Sequence, residues 1–280
     1  MVSFLAQTTL FQALVGATPN RRDICSCQRY GFFIRDAQAP LFTNGRPLPM
    51  KLDADQTIAE PASSHVHFDF SKLSARDRYK LLIGTVIPRP IAFVTTVDEH
   101  GVVNAAPFSF FNCLSADPAI VAIGVENHAD MRHKDTGHNV RVTEEFTVNI
   151  VDDALVAGMN VCAVPFPPDV DELAMAGLTA VKGVHVACPR IAEAPAALEC
   201  RRYMTIAVGK SREIILGLVL GCFVREGAVN PITKHVDQRK MDAIGRLGGH
   251  GYSRIRDQFD LPTMSVEEWR RREGPFPGVD

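Results

Sequence analysis

The chain has 280 residues and a mass of 30.7 kDa, enough for one large or two ordinary domains whose core needs no metal or disulfide staples. Its 46% hydrophobic and 22% charged residues exclude disorder, collagen and coiled coil, and its longest apolar run, Ile214–Val224, falls far short of the roughly 20 residues of a bilayer-spanning helix. Thirty Lys and Arg against 32 Asp and Glu give a formal charge of -2 and no general field for a polyanion, so neither nucleic acid nor a membrane is an expected partner.

Residues 1–60 read as an extension, with Arg21, Arg22, Arg29, Arg35 and Arg46 opposed by few acids and no sustained period. An organelle transit peptide, a flexible arm, and an over-called start with Met50 as initiator all fit that composition. From about residue 65 the pattern becomes regular. Pro90–Val97 is rich in β-branched and aromatic residues, Asp98-Glu-His-Gly101 supplies a turn, and Val102–Phe108 returns, which predicts a β-hairpin. Ile120–Val125 follows the breaker Asp117-Pro118 as a further strand. Lys134–Glu145 predicts a short helix with Asp and Thr available near its start, and Phe146–Val151 another strand. Asp152–Gly177 mixes helix formers with Pro165-Phe-Pro-Pro168, predicting two short helices around an irregular loop. Ala197–Val208 and Glu213–Arg225, joined by Gly209-Lys-Ser-Arg212, form a second, long hairpin. Many strands in hairpin order without βα alternation predict an antiparallel barrel rather than a doubly wound sheet.

Several familiar motifs fail on inspection. Gly209-Lys-Ser211 ends like a phosphate-binding loop, but Met204 stands where that motif needs glycine. Gly245-Arg-Leu-Gly-Gly-His-Gly251 does not fit the dinucleotide pattern; it reads as a flexible loop or as backbone approaching a ligand. His65 and His67 have no evident third ligand and read as surface histidines. Seven scattered cysteines, an odd number, fit reduced thiols in a cytoplasm better than a disulfide framework, and Cys200 reads as a buried, inert mid-strand thiol. What remains is Asn104, Ser109 and Asn112 set among Pro107 and three phenylalanines, a mixture suited to a flat heteroaromatic ligand with a polar edge. Lys134 at a helix start adds an ammonium and free N–H groups for an anion. A packed barrel rim and an ordinary capped helix explain the same residues.

Arg89-Pro-Ile-Ala-Phe-Val-Thr-Thr-Val-Asp-Glu-His-Gly101, Asn104-Ala-Ala-Pro-Phe-Ser-Phe-Phe-Asn112, Asp117-Pro118, Lys134-Asp-Thr136 and Asn139 together resemble the flavin reductase-like, FMN-binding split-barrel family, including its flavoredoxin-like branch. Ala176-Gly-Leu178, Pro189-Arg-Ile191, Leu198-Glu-Cys200 and Arg246-Leu-Gly-Gly-His-Gly-Tyr252 extend the likeness over about residues 65–255, leaving 256–280 as a tail. The resemblance implies a mainly β fold, a six-stranded antiparallel Greek-key split barrel with a few short helices. It also implies a homodimer holding FMN noncovalently near the subunit interface.

By the same resemblance Thr95, Thr96, Asn104, Ser109, Phe110, Phe111 and Asn112 would surround the ring and ribityl chain. Lys134, Asp135, Thr136 and Asn139 would serve the phosphate, and Arg246 and Tyr252 would close the site. The implied activity is an oxidoreductase taking electrons from NAD(P)H through flavin to free flavin or another small-molecule or protein acceptor, with no acid–base residue assigned. A flavin-binding electron carrier and a split-barrel binding module without flavin are the alternatives. Two departures stand out. Glu144 replaces the glycine that commonly ends the family's helix, and Asp171-Glu-Leu173 replaces Asp-Glu-Phe.

Overall fold

The structure, a computed structural model, describes residues 42–43, 46–47, 64–167, 170–209 and 212–271. Of the extension only two short strands are described, β1 (Phe42–Thr43) and β2 (Arg46–Pro47), which pair with each other. Lys210 and Ser211 of the long hairpin's turn lie outside the described residues. His65 and His67 are exposed.

Helix α1 (Ala75–Thr85) was not evident from the sequence; its start is set by Ser74, whose hydroxyl accepts from the Asp77 backbone N–H at 3.1 Å. The predicted first hairpin is β3 (Ala92–Val97) with β4 (Val103–Phe108), in the register Val97 opposite Val103. A strand absent from the sequence reading, β5 (Phe111–Ala116), pairs with β6 (Ala119–Glu126). Helix α2 (Asp135–Thr143) leads into β7 (Glu145–Ile150). The two expected short helices are α3 (Val156–Val161) and α4 (Glu172–Met175). After β8 (Ala180–Val181) and β9 (Arg190–Ile191) comes the long hairpin, β10 (Ala196–Val208) and β11 (Arg212–Val224). A single helical turn α5 (Gln238–Met241), strands β12 (Ile244–Arg246) and β13 (Tyr252–Arg254), and helix α6 (Val266–Arg271) complete the described chain. The glycine-rich segment is therefore an ordered hairpin, its turn closed by Leu247 N–H to Gly251 O at 3.0 Å and by Gly249 at φ 57°.

The main sheet runs β4-β3-β7-β10-β11-β6-β5, antiparallel throughout, with seven strands where the resemblance implies six. It curls, so that β4 also touches β6. Two apolar clusters form from opposite faces of β3. Phe93 packs with Leu155, Met159 and Leu173, whereas Ala92 and Val94 pack with Ile123, Val140, Phe146 and Ile215. In its pairing with β11, β10 meets two register shifts, at Glu199/Cys200, where Leu220 of β11 is the extra residue, and at Arg202/Met204, where Tyr203 of β10 is. Close packing excludes side chains on its partner: a Cβ at Gly217 would lie 2.3 Å from the Phe146 ring, and one at Gly221 2.5 Å from His185. Among the described residues no helix is long and apolar enough to cross a membrane.

The turn from α2 into β7 shows how the missing glycine is replaced. Glu144 itself takes the left-handed conformation, φ 62° and ψ 13°, with its N–H on the Val140 carbonyl. Its carboxylate pairs with Arg202. The geometry a glycine would favour is kept, at the cost of backbone strain.

Candidate functional site

Helix α2 begins at Lys134, which occupies the cap position in an extended conformation but makes no side-chain cap bond. The expected Asp and Thr caps lie one and two residues inside the helix. No acceptor among the described residues meets the first-turn N–H groups, so the positive end of a nine-residue helix is open beside the Lys134 ammonium. Val140 anchors the helix in the core. From behind, the buried Glu213 carboxylate pairs with Arg141, and Gly137 leaves it room, since a Cβ there would sit 2.8 Å from Oε1.

A buried polar network ties this helix to the first hairpin. Asn104 Nδ2 donates to Thr136 Oγ1 at 3.0 Å and to Thr96 Oγ1 at 3.3 Å, while Asn139 Nδ2 donates to Thr96 Oγ1 at 3.1 Å. Thr96, Asn104, Thr136 and Asn139 are all at least nine-tenths buried, so these bonds fix the helix start against β3 and β4. They open on a hollow of about 250 Å³ lined by Asn104, Pro107, Lys134, Asp135 and Thr136.

The same hollow has walls that sequence reasoning missed, His128, Cys162, Pro165 and Phe166, and is closed by Glu172 of the Asp171-Glu-Leu173 departure, a segment read as pocket wall with no role given to its carboxylate. Glu172 enters from α4, whose Asp171 cap accepts from the Leu173 and Ala174 N–H groups. One Glu172 oxygen accepts from the Ala105 N–H at 3.0 Å. Burial pushes its pKa above the ordinary value, with nearby Asp135 and Asp171 adding to the rise. Burial also pushes the Cys162 thiol up to about 12, so it is not a nucleophile. Only the acid next to a helix cap hinted at Glu172, and nothing in the sequence located its target 67 residues away.

The other predicted residues lie elsewhere. Thr95 points to the opposite face of β3 from Thr96, fully buried, with its hydroxyl donating to the Pro189 carbonyl; it lines no hollow. Ser109 meets Arg89 Nε at 3.4 Å. Arg89 is a buried clamp: its guanidinium donates to the carbonyls of Ile83, Val86 and Leu247, and its backbone pairs with Arg246. Arg246 in turn lies over the Tyr252 ring at 4.4 Å. Phe110, Phe111 and Asn112 line a separate apolar hollow of about 290 Å³ with Gly124, Val208, Arg212 and Ile214. Tyr79 of α1 packs near Phe110, with ring centroids 6.4 Å apart.

The residues present fit an anionic cofactor end: an open helix N-terminus, a lysine and hydroxyl and amide groups converge on one hollow. At about 250 Å³ that hollow is smaller than the roughly 300–1,000 Å³ of a complete ligand site, so a three-ring flavin would extend beyond it.

A family model described as a flavin reductase-like domain matches residues 83–243. An uncharacterized protein of Deinococcus radiodurans is 44% identical over 215 residues, covering 75% of this chain and 94% of its own. Nitrilotriacetate monooxygenase component B from Bacillus cereus superposes with a TM-score of 0.68 at 32% identity, covering 71% of this chain and all of its own. The 2-nitrobenzoate 2-nitroreductase of Pseudomonas fluorescens gives 0.67 at 33%, covering 72% and 98%.

Proposed function

The chain belongs to the flavin reductase-like family, and from that premise we propose that it is an FMN-binding oxidoreductase passing electrons from NAD(P)H through the flavin to free flavin or another acceptor. The observation that carries the reading is the uncapped start of α2, with Lys134 beside it, opening on the Asn104–Thr136 hollow. Bound flavin would supply the hydride and electron chemistry. The chain's own groups would hold the phosphate at Lys134 and the Asp135–Gly137 N–H groups. The Thr96–Asn104–Asn139 network would keep those donors oriented, and Pro107, Pro165 and Phe166 would exclude water.

A homodimer belongs to the same proposal. The far half of β10 exposes Tyr203, Met204, Ile206 and Val208, and β5 exposes Leu114, apolar surface that a second copy would cover.

The purified protein, alone or after adding FMN, is expected to show a flavin spectrum and to release free FMN on denaturation. Lys134→Ala should weaken FMN about tenfold or more and riboflavin little, because only FMN carries the phosphate. A protein that retains no FMN on gel filtration overturns the reading. Steady-state NAD(P)H oxidation with added flavin distinguishes a reductase from a passive carrier.

A further inference from the structure

A cavity of about 690 Å³ shares no lining residue with the hollow at α2. It lies along the base of the long hairpin, between Arg190–Ala192, Ala194, Ala197, Cys222–Arg225 and the following loop at Val229, Pro231, Lys234 and Val236. Its volume falls within the range of small-molecule sites.

Its lining mixes polar and apolar surface in comparable amounts, and the charged side chains that line it are all positive: Arg190, Arg225 and Lys234. Two of these are balanced from behind. Arg225 Nη2 lies 2.9 Å from Asp152 Oδ2, and Arg190 Nε lies 3.3 Å from Glu199 Oε1. Glu199 is fully buried and also accepts from the Val184 and His185 N–H groups. Lys234 has no carboxylate partner among the described residues; its ammonium reaches only the Pro231 carbonyl. The cavity thus carries one uncompensated positive charge.

Arg190 provides the directional element. Its side chain is only 22% exposed, and its guanidinium lies 3.9 Å over the Phe223 ring, with Nε facing the Glu199 carboxylate at 3.3 Å but making no hydrogen bond to it. Nη1 and Nη2 have no acceptor among the described residues. A largely buried guanidinium, stacked on one face and attracted by the Glu199 charge behind it, presents a fork of the kind that takes a carboxylate with two parallel bonds. Lys234 is held at the rim by a loop in which it adopts φ 63°, with its N–H on the Asn230 carbonyl at 2.8 Å and Val229 bridging Val236.

The geometry points to a second binding site here, for an aromatic monocarboxylate whose carboxylate engages Arg190 and Lys234 and whose ring lies against Ile191, Phe223 and Val236. One ligand charge matches the one unbalanced lysine, and the apolar side chains of Ile191, Phe223 and Val236 match a ring rather than a hydrated ion. This assignment does not depend on flavin binding.

The test uses the full chain, titrated with benzoate, benzamide and acetate by calorimetry and by amide chemical shifts. Benzoate is expected to bind with shifts concentrated in residues 190–197 and 222–236, and benzamide and acetate each about tenfold more weakly. Arg190→Lys, which keeps the charge but loses the fork, should weaken benzoate about tenfold. Because a change at Arg190 also disturbs buried Glu199, Lys234→Ala on the exposed loop is the second variant, with a loss of severalfold expected. No benzoate binding, equal binding of benzoate and benzamide, acetate as tight as benzoate, or full binding in both variants each overturns the proposal.

Discussion

Cys162, Cys188 and Cys200 are sealed in the core, and burial raises each thiol to about 12, whereas Cys113 on β5 is exposed. A short iodoacetamide pulse at pH 8 followed by peptide mapping should therefore modify Cys113 and spare those three until the protein is unfolded; early labelling of Cys200 would contradict the packing around Phe146. Glu172 sets a pH dependence of definite sign. Burial raises its folded-state pKa above the unfolded value, so its contribution to stability is complete below about pH 4.5 and is lost as the pH climbs through the raised value. Glu172→Gln removes that loss while its amide oxygen still accepts from Ala105. Melting curves of variant and wild type between pH 4 and 8 should diverge in the variant's favour as the pH rises, and a constant difference would count against the buried carboxyl.

The helix-to-strand turn at Glu144 is the element whose sequence and geometry disagree. A non-glycine residue at φ 62° costs about 1–2 kcal/mol relative to an allowed conformation, and the exposed pair with Arg202 returns at most about 1. Glu144→Gly is expected to stabilise the protein by about 0.5–1 kcal/mol, read as a higher midpoint in urea with an unchanged slope. The hairpins were legible because turn residues and β-branched runs encode them locally, as Asp98–Gly101 does between β3 and β4. Strand β5 was not, because Phe111–Ala116 has an exposed, non-alternating pattern and is a strand only through its partner β6. Helix α1 was hidden for a related reason: none of its residues is buried, so its apolar side chains form no clear core stripe.

Across the whole molecule the site was legible in part. Asn104, Lys134, Asp135 and Thr136 line one hollow with Thr96 and Asn139 bonded behind them, whereas of the residues expected along the ring and at the closing loop, Thr95 lies in the core, Phe110 lines a second hollow and Tyr252 stacks under Arg246. Which face of a strand a threonine takes, and which loop closes a hollow, are decided by long-range packing that spacing does not encode. That packing also couples the two apolar clusters, because β3 feeds Phe93 into one and Val94 into the other. Phe93→Ala should cost about 3–5 kcal/mol, and its unfolding followed by near-ultraviolet and far-ultraviolet dichroism should remain one coincident transition. Separate transitions would show that the clusters unfold independently.

The bare positions at Gly217 and Gly221 have a consequence for fidelity of assembly. A long two-stranded ribbon that slips by one residue turns its apolar face outward and is rejected by water, but a slip of two residues restores the same faces and escapes that check. Here such a slip would bring Ile215 or Val219 to the place of Gly217, directly against the ring of Phe146. The vacancies and the two bulges, one on each strand of the hairpin, thus act as a lock whose wards admit a single alignment, so mis-zippered hairpins are refused by shape against β7.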